Sequence, residues 1–375
     1  MKFLFVTTGS SATFYAVAPL ATAVRNAGHE IILASHEPWV ETVEGIGVPT
    51  VCYSPEPIRH FMTTSRSEEM LGVGRGFARM AAAGLGVLLD LAEDWRPDLV
   101  IGSSMSYAAG LLATRRKVPY VRQIEYPIPI AGIDQGAEEE LRSELDRLGL
   151  AGLPDPALYV DVTPPSLRPS PASGGQPMRW IPVNPQRRLE PWMYTRPEGR
   201  HRVLITSEFR SLPGRSLRHL VGQLTLAGAE VLIEGAAGRL GAELGDVRVG
   251  WMPVDVVAST CDLAVNHGGA AAAMTLMTAG VPQLIIPPND HTGAIAQAMS
   301  GFGAALTVMP QQQGPGQSLG ELIAAGCREI LSASRYAQQA EALAAEIAAL
   351  PTPCEVVRTL ETLAATQAEP AGIRL

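Results

Sequence analysis

The sequence predicts an α/β protein built from two doubly wound domains, each with a parallel sheet covered by helices. Its 375 residues are many for a single hydrophobic core and fit two domains. Short apolar runs alternate with helical patterns in two separate series, a rhythm typical of parallel sheets. Between the two series, residues 154–197 are rich in proline and glycine, as expected at a domain connection.

The first series predicts an N-terminal Rossmann-like domain at residues 1–185. Gly28 directly follows its first helical pattern and is a helix-stop signal. We expect strands at 2–8, 30–34, 49–53, 98–102 and 118–122, and helices at 14–27, 39–45, 74–95 and 105–115.

The second series predicts another Rossmann-like domain at 201–350, after a linker at 186–200 and before a tail helix at 351–375. We expect strands at 202–207, 230–234, 247–250, 263–265 and 283–286, and helices at 216–227, 254–260, 270–278, 319–332 and 336–350. Ligands of open α/β sheets lie at the carboxyl ends of the strands, so we expect the ligand in a central cleft between the two domains.

Composition and charge argue against several classes of function. The net charge of −8 disfavours a nucleic-acid partner, which requires a basic surface. The four cysteines are far apart and lack a C-x-x-C spacing, so we expect no thiolate metal site. The apolar start is too short for a signal peptide, and no apolar run reaches the ~18 residues of a membrane span. We therefore expect a cytoplasmic protein without a membrane partner.

Two glycine-containing stretches bear on dinucleotide binding. The turn after the first predicted strand, residues 9–13, has one glycine where a dinucleotide fingerprint would have G-x-G-x-x-G. Residues 72–76 contain three glycines but follow no predicted strand, so they are a weak candidate for a phosphate loop. The pattern therefore disfavours a nicotinamide-dependent dehydrogenase.

The most informative segment lies in the second half of the chain. A predicted strand ends at Asn266, and Gly268 and Gly269 let the backbone turn tightly and approach a ligand. The helix that starts at Ala270 presents unpaired N–H groups and the positive end of its dipole, which favour a diphosphate. His267 is placed to donate a hydrogen bond to that anion. The alternative is an ordinary strand-turn-helix with a surface histidine.

A loop at 287–291 follows the next predicted strand and would emerge at the same edge of the sheet. Its Asp290 and His291 are candidates for holding sugar hydroxyls.

This segment resembles the donor-binding signature of family 1 glycosyltransferases, which fold as GT-B. The resemblance implies two Rossmann-like domains facing a central cleft, with the C-terminal helix crossing back to the N-terminal domain. Residues 249–257 resemble the family's loop around the nucleotide base, and residues 206–207 lie where the family contacts the donor phosphates or ribose. The donor-binding residues implied by these matches are Ser207, Trp251, Met252, Pro253, Val254, His267, Gly268, Gly269, Ala270, Asp290 and His291.

Residues 57–61, 164–169 and 189–196 are similar to bacterial glycosyltransferases that decorate aromatic polyketide antibiotics, of the urdamycin and landomycin olivosyl C-glycosyltransferase type. The resemblance implies an inverting, metal-independent transfer of a deoxysugar from a dTDP-activated donor to an aromatic polyketide, forming a C-glycosidic bond. The dTDP-sugar is a co-substrate, and no cofactor is implied. O-glycosylation stays open as an alternative, and so does a homodimer.

The sequence departs from the family pattern in the donor segment. Residues 270–272 are three alanines where the family usually has hydroxyl-bearing residues, and Asn266-His267 replaces a pair of histidines. A smaller polar set fits a deoxysugar, which has fewer hydroxyls to hold. It also leaves open a non-catalytic GT-B protein that binds a sugar nucleotide or supports a partner enzyme.

The catalytic base is expected in the first domain. Many family members carry a histidine in the first helix where this chain has Ala16, which favours a phenolic acceptor that a carboxylate can help to deprotonate. In the related C-glycosyl enzymes a carboxylate follows an Arg-Gln pair, which is residues 122–123 here. Glu125 is our first candidate and Asp134 the second, while the alignment places Tyr126 on the family carboxylate. The alternative for Glu125 is a solvated loop carboxylate.

Several residues of the first domain are candidates for an acceptor pocket. Ser10 lies at the carboxyl end of the first strand, where ligands of this fold bind. Aromatic and methionine side chains at helical spacing are more often core than ligand-facing, so core packing is their alternative role. The expected acceptor-binding residues are Ser10, Phe14, Tyr15, His60, Phe77, Met80, Met105 and Tyr126.

Overall fold

The computed structural model describes residues 1–37, 39–63, 69–125, 127, 130–168, 175–185, 187–206, 214–235, 247–314 and 316–368. The candidates Tyr126 and Ser207 lie outside these residues. The chain forms two compact units. The first unit comprises Met1–Thr163, Pro169–Val183 and Leu350–Leu375, and the second comprises Pro164–Arg168 and Asn184–Ala349. Among the described residues, no helix is both long and apolar enough to cross a membrane.

The first unit has a parallel sheet of seven strands in the order β3-β2-β1-β4-β5-β6-β7. The strands are β1 Lys2–Val6, β2 Glu30–His36, β3 Thr50–Ser54, β4 Leu99–Ser103, β5 Tyr120–Ile124, β6 Leu158–Asp161 and β7 Gln176–Pro177. The helices between them are α1 Ser11–Asn26, α2 Val40–Gly45, α3 Glu69–Asp94, α4 Tyr107–Arg116, α5 Ala131–Glu140 and α6 Arg142–Leu148. In the sheet centre Phe3 pairs with both Ile31 and Leu99, all of them buried.

The second unit has a parallel sheet of six strands in the order β10-β9-β8-β11-β12-β13. The strands are β8 Arg202–Ile205, β9 Glu230–Glu234, β10 Val247–Gly250, β11 Leu263–Asn266, β12 Gln283–Ile285 and β13 Ala305–Thr307. The helices are α7 Gly214–Leu226, α8 Val254–Val257, α9 Ala270–Thr278, α10 Asp290–Phe302, α11 Leu319–Ser332 and α12 Ser334–Ala349.

The strands of the second unit read as continuous apolar runs because both faces of the sheet are covered. Val203 and Ile205 of β8 belong to one buried apolar cluster, and Leu204 between them belongs to the cluster on the other face. Two parallel sheets of this kind confirm the predicted fold class.

The last helix, α13 (Pro353–Ala368), belongs to the first unit and packs on α1. A hydrogen bond of 2.8 Å joins His29 Nε2 to Glu361 Oε1 between the two parts of the chain. Residues 187–200, which fall in the expected linker, lie within the second unit, where Met193 packs in the apolar cluster that contains Leu204.

The sequence predicted a loop at 287–291. The last two residues of that range belong instead to helix α10, so the prediction was wrong there. Asn289 caps the helix, since its Oδ1 accepts a hydrogen bond from the Thr292 N–H at 3.0 Å. Asp290 therefore opens a helix instead of ending a loop.

The glycine stretch 72–76 lies inside α3 and serves helix packing. A Cβ built on Gly74 would lie 1.8 Å from the Ile133 carbonyl oxygen of α5. In the other direction, a Cβ on Gly136 of α5 would lie 2.1 Å from the Leu71 carbonyl oxygen of α3. The glycines let the two helix backbones touch, so the weak phosphate-loop candidate is wrong.

Candidate active site

The strand order of the first unit reverses between β1 and β4, and the carboxyl ends of these strands carry buried hydroxyl groups. Thr8 Oγ1 lies 2.7 Å from the Tyr53 hydroxyl and accepts a hydrogen bond from Ser106 Oγ at 3.1 Å. Ser106 Oγ in turn lies 2.5 Å from Ser103 Oγ. This network fixes the loop 103–106, which we call the Ser104 loop. Ligands of such folds bind at this reversal of strand order.

Glu125 follows β5 directly and is only 1% exposed. Its Oε1 accepts a hydrogen bond from the Ser104 N–H at 2.8 Å, and its Oε2 has no hydrogen-bond partner among the described residues. Burial raises the pKa of the Glu125 carboxyl to about 7, although the Ser104 hydrogen bond opposes the shift. A carboxyl that titrates near neutrality and keeps one oxygen unengaged is equipped for general base catalysis.

The burial of Glu125 contradicts its alternative role as a solvated loop carboxylate.

Asp134, the second candidate base, is engaged in a salt bridge. Its two carboxylate oxygens accept hydrogen bonds from Arg122 at 2.6 and 2.8 Å, and its Oδ1 also accepts one from the Tyr107 hydroxyl at 2.8 Å. The same guanidinium donates to the Ser104 carbonyl oxygen from Nε at 2.7 Å. The geometry therefore favours Glu125 over Asp134 as the base.

The expected acceptor residues lie in different environments. Four are core residues, which fits their alternative role; they are Phe14, Phe77, Met80 and Met105. Phe77 nonetheless borders the turn after β1, because a Cβ on Gly9 would lie 2.9 Å from its ring. Tyr15 is half-buried against the Phe14 ring, with the two ring centroids 4.3 Å apart.

The two polar acceptor candidates lie at the surface. Ser10 is exposed, and its Oγ accepts a hydrogen bond from the Ala12 N–H at 3.3 Å, which caps α1. His60 is also exposed and pairs with Glu56, four residues before it. Among the described residues, neither side chain forms a hydrogen bond or an ion pair with Glu125.

In the second unit, a network of neutral amides shapes the turn after β11. Asn266 Nδ2 donates to Gln283 Oε1 of β12 at 2.8 Å, and Asn266 Oδ1 accepts from the Gly268 N–H at 2.8 Å. Gly268 has a φ of +84°, and a Cβ there would lie 2.8 Å from the Thr292 carbonyl oxygen. Only glycine fits this position without strain.

Helix α9 starts directly after this turn with its N-terminus uncapped by a side chain, since its N-cap residue is Gly269. The first N–H groups of a helix and its dipole favour an anion. Thr206 follows β8, and its N–H donates to the Val265 carbonyl oxygen of β11 at 3.1 Å. Its Oγ1 is buried and has no hydrogen-bond partner within the described part of the chain. Backbone amides and this hydroxyl thus gather where the strand order of the second unit reverses.

His267 and His291 complete the candidate donor site. His267 precedes the glycine turn and is half-buried. His291 lies in the first turn of α10 and is half-buried, and burial lowers the pKa of its ring to about 4, so the ring is neutral at physiological pH. Asp290 beside it is exposed.

The expected base-contacting loop is mostly buried. The side chains of Met252 and Val254 pack in the apolar core, and Pro253 is buried at the start of α8. Any contact of Met252 or Val254 with a ligand would therefore come from backbone atoms. Trp251 is half-buried, and the Arg187 guanidinium lies 4.9 Å from its ring centroid.

Sequence reasoning missed Ser104 and Tyr107 in the first unit and Gln283 in the second. Ser104 lies in a run with Ser103 and Ser106 directly after a predicted strand, and polar residues at that position were a usable signal. Gln283 opens a strand, and nothing in the local pattern indicates that its amide reaches Asn266.

Two parallel-sheet units with an uncapped helix at the carboxyl edge of the second are the architecture of GT-B proteins. The chain belongs to the family described as Erythromycin biosynthesis protein CIII-like: residues 58–208 match its N-terminal domain and residues 218–363 its C-terminal domain. It is similar to the L-demethylnoviosyl transferase of Streptomyces niveus, with 31% identity over 98% of both chains.

Two solved structures extend the comparison. The glycosyltransferase SsfS6 of Streptomyces sp. SF2575, complexed with thymidine diphosphate, is 28% identical with a TM-score of 0.85, over 96% of this chain and 99% of that one. The spinosyn rhamnosyltransferase SpnG, complexed with thymidine diphosphate, is 26% identical with a TM-score of 0.86, over 96% and 100%. The predicted glycosyltransferase class and GT-B fold are thereby confirmed. The closer likeness to urdamycin- and landomycin-type C-glycosyltransferases is not confirmed.

Proposed function

We propose that this glycosyltransferase transfers a deoxysugar from a dTDP donor to a phenolic aromatic polyketide, with inversion at the anomeric carbon and with Glu125 as the base. The observation that carries the proposal is the buried Glu125 carboxyl, whose Oε2 has no partner among the described residues. The transfer forms a bond between the acceptor and the anomeric carbon, breaks the bond from that carbon to the diphosphate oxygen, and leaves one proton on Glu125.

The pKa of the Glu125 carboxyl supports a phenolic acceptor. General base catalysis is most effective when the pKa of the base approaches that of the group it deprotonates and lies near the working pH. Burial raises the pKa of Glu125 to about 7, while a phenol titrates near 10. Position 16 on α1 is a buried alanine, so α1 supplies no base at that position.

The uncapped N-terminus of α9 supports a nucleoside diphosphate donor. As the sugar leaves, negative charge grows on the diphosphate, and preorganised N–H donors stabilise that charge. The amides at the start of α9 and the His267 ring would supply these donors. Two related enzymes were solved with thymidine diphosphate, which supports dTDP as the carrier.

The attachment atom depends on which end of the phenolate attacks. A phenolate carries negative charge on its oxygen and on its ortho carbons, and the same deprotonation by Glu125 activates both. We propose attack by the ortho carbon, which first gives a ring ketone; the ortho hydrogen then leaves as a proton and the ketone oxygen is protonated, which restores the phenol and gives a C-glycoside. Attack by oxygen is the second candidate. The L-demethylnoviosyl and rhamnosyl transferases among the relatives support a deoxysugar donor without deciding the linkage.

The test is mass spectrometry of products from a panel of dTDP-deoxysugars and phenolic polyketides, with UDP-glucose and methyl-ether acceptors as controls. The proposal expects glycosylated products only from dTDP donors and free phenols. Treatment with hot acid then separates the linkages, because a C-glycoside survives and an O-glycoside releases free sugar. Equal turnover of the methyl ethers would contradict a phenolate mechanism, and acid-labile products would establish O-glycosylation.

A further inference from the structure

The ion pair between Arg122 and Asp134 lies beside Glu125 and has no part in the chemistry proposed so far. Arg122 is almost fully buried on β5, and Asp134 lies in the first turn of α5. The two N–H groups that join them come from Nη1 and Nη2, at 2.8 and 2.6 Å. Removing a buried charge pair from water is costly, so such a pair is weak evidence for stability and needs another explanation.

The guanidinium reaches Glu125 indirectly through one residue of the Ser104 loop. Arg122 Nε donates to the Ser104 carbonyl oxygen at 2.7 Å, and the Ser104 N–H donates to Glu125 Oε1 at 2.8 Å. The backbone of Ser104 is therefore held on one side by Arg122 and gives its N–H to Glu125 on the other. If the guanidinium moved, the hydrogen bond to Glu125 would lose its geometry.

Asp134 is itself held in place by the contact of two helices. The carbonyl oxygen of its neighbour Ile133 lies against Gly74 of α3, where a Cβ would approach it to 1.8 Å. The Tyr107 hydroxyl of α4 adds a hydrogen bond of 2.8 Å to Asp134 Oδ1. The glycines of α3 and α5 thus set the position of the carboxylate that orients Arg122.

We propose that Arg122 is a positioning residue for sugar transfer: its planar guanidinium, oriented by Asp134, clamps the Ser104 carbonyl and so keeps the Ser104 N–H on Glu125. This inference rests on the proposed role of Glu125 as the base. A lysine at position 122 would keep the charge but lose the fork that reaches Ser104 and Asp134 together.

The charged and titratable groups near Glu125 predict the sign of each substitution. Arg122 and Tyr120 of β5 interact electrostatically with Glu125, while Asp134 of α5 and Tyr107 of α4 face Arg122. The side chain and the N–H of Ser104 and, to a smaller extent, the Arg122 charge favour the ionised carboxyl, and thus lower the pKa of Glu125 against the larger effect of burial. Losing the clamp therefore weakens the ionised form. In Asp134→Asn the remaining Oδ1 can still accept hydrogen bonds from Arg122 and Tyr107, so the guanidinium stays oriented, and loss of the carboxylate charge strengthens the ionised form of Glu125.

The experiment is the pH profile of kcat/KM for the full-length wild-type enzyme, Arg122→Lys and Asp134→Asn. For Arg122→Lys we expect the acid limb to move to higher pH, so that kcat/KM at pH 6 relative to pH 8.5 falls about tenfold, as for loss of one hydrogen bond to a charged group. For the isosteric Asp134→Asn we expect the limb to move to lower pH. Since Asp134→Asn keeps the shape of the site, it tests the proposal even if Arg122→Lys does not fold.

Glu230→Gln is the matched control, because Glu230 forms a buried ion pair with Arg202 at the amino end of the second sheet. This variant should lose stability without moving the acid limb. If Arg122→Lys and Asp134→Asn lower activity equally at every pH, Arg122 is merely structural and the inference fails. If Glu125→Gln keeps wild-type activity, the proposed function fails instead, so the two failures are distinguishable.

Discussion

The carboxyl edges of the two sheets share one strand topology and carry opposite chemistry. Both sheets reverse order between their first and fourth strands, β1 and β4 in one unit and β8 and β11 in the other. At the first edge stands a buried carboxyl, Glu125, with a charged pair behind it. At the second edge the described buried polar groups are neutral amides and a hydroxyl, followed by a bare helix N-terminus.

The helices that follow β1 and β11 differ in how their N-termini are capped. Helix α1 starts with Ser10, whose side chain accepts a hydrogen bond from the Ala12 N–H and so uses one donor of the first turn. Helix α9 starts with Gly269, which has no side chain to offer. A capped helix N-terminus has fewer free N–H groups to donate to an anion than an uncapped one. We infer that the first edge handles a proton and the second edge holds a diphosphate.

The largest expected effect comes from Glu125→Gln. The amide cannot accept the acceptor proton, so kcat should fall by about 10²- to 10⁴-fold, as for loss of a general base. Thymidine diphosphate should bind as in the wild type, since its site belongs to the other edge. Steady-state kinetics measure kcat, and calorimetry measures the affinity for thymidine diphosphate. The control is Glu44→Gln, since Glu44 is an exposed carboxylate of α2. An equal loss of kcat in this control would contradict the role of Glu125 as the base.

The second prediction concerns stability and pH. Because the pKa of Glu125 is raised from 4.5 to about 7 in the folded protein, the native state binds more protons than the unfolded state between these values. The free energy of unfolding should therefore fall as pH rises from 4.5 to above 7, by up to about 3 kcal/mol from this group. Urea unfolding of the wild type and Glu125→Gln at pH 5 and pH 8 measures it.

The glutamine variant should gain stability over the wild type on going from pH 5 to pH 8. A constant difference between the two proteins would mean that Glu125 titrates normally, and the contrast between the two edges would weaken.

The third prediction tests the packing that supports the first edge. In Gly74→Ala the new methyl group would meet the Ile133 carbonyl, so we expect the free energy of unfolding to fall by about 2 kcal/mol, in the range of overpacked sites. Gly86→Ala in the same helix is the control, because its Cβ would meet no described atom within 4 Å. Its helix propensity should raise stability by about 0.5–1 kcal/mol. Equal effects in denaturant unfolding would show that the helix contact is loose.

The smallest expected effect tests the second edge. Gly268→Ala introduces a side chain at a φ of +84° and against the Thr292 carbonyl, so affinity for thymidine diphosphate should fall about tenfold. The acid limb of the pH profile should stay in place. Gly293→Ala is the control, since a Cβ there meets nothing within 4 Å among the described atoms. Calorimetric titration measures the affinity of both variants for thymidine diphosphate. Unchanged affinity in Gly268→Ala would show that this turn takes no part in binding the donor.

Sequence reasoning predicted the parallel strands well because their signal is local. A strand buried on both faces is a continuous apolar run, and β1, β8 and β11 were each located within a few residues. The turn at Gly268 was also predicted, because paired glycines between a strand and a helix indicate a tight backbone turn.

The rest of the site depends on contacts between residues far apart in the chain. Glu125 was the first candidate for the base, but its burial was not predicted, because it depends on contacts such as the hydrogen bond from the Ser104 N–H, 21 residues earlier. Helix α5 was not predicted, and two of its acidic residues, Glu139 and Glu140, pair with Arg75 and Arg79 of α3. Such pairings follow from tertiary packing and leave no periodic signal in the local sequence.

The most direct test of the contrast between the two edges is a crystal structure of the enzyme with thymidine diphosphate. We predict that the diphosphate oxygens lie within hydrogen-bond distance of the backbone N–H groups of residues 269–272 and that the nucleotide does not contact Glu125. A diphosphate bound at the turn after β1, beside Gly9 and Ser10, would contradict the assignment of anion binding to the second unit.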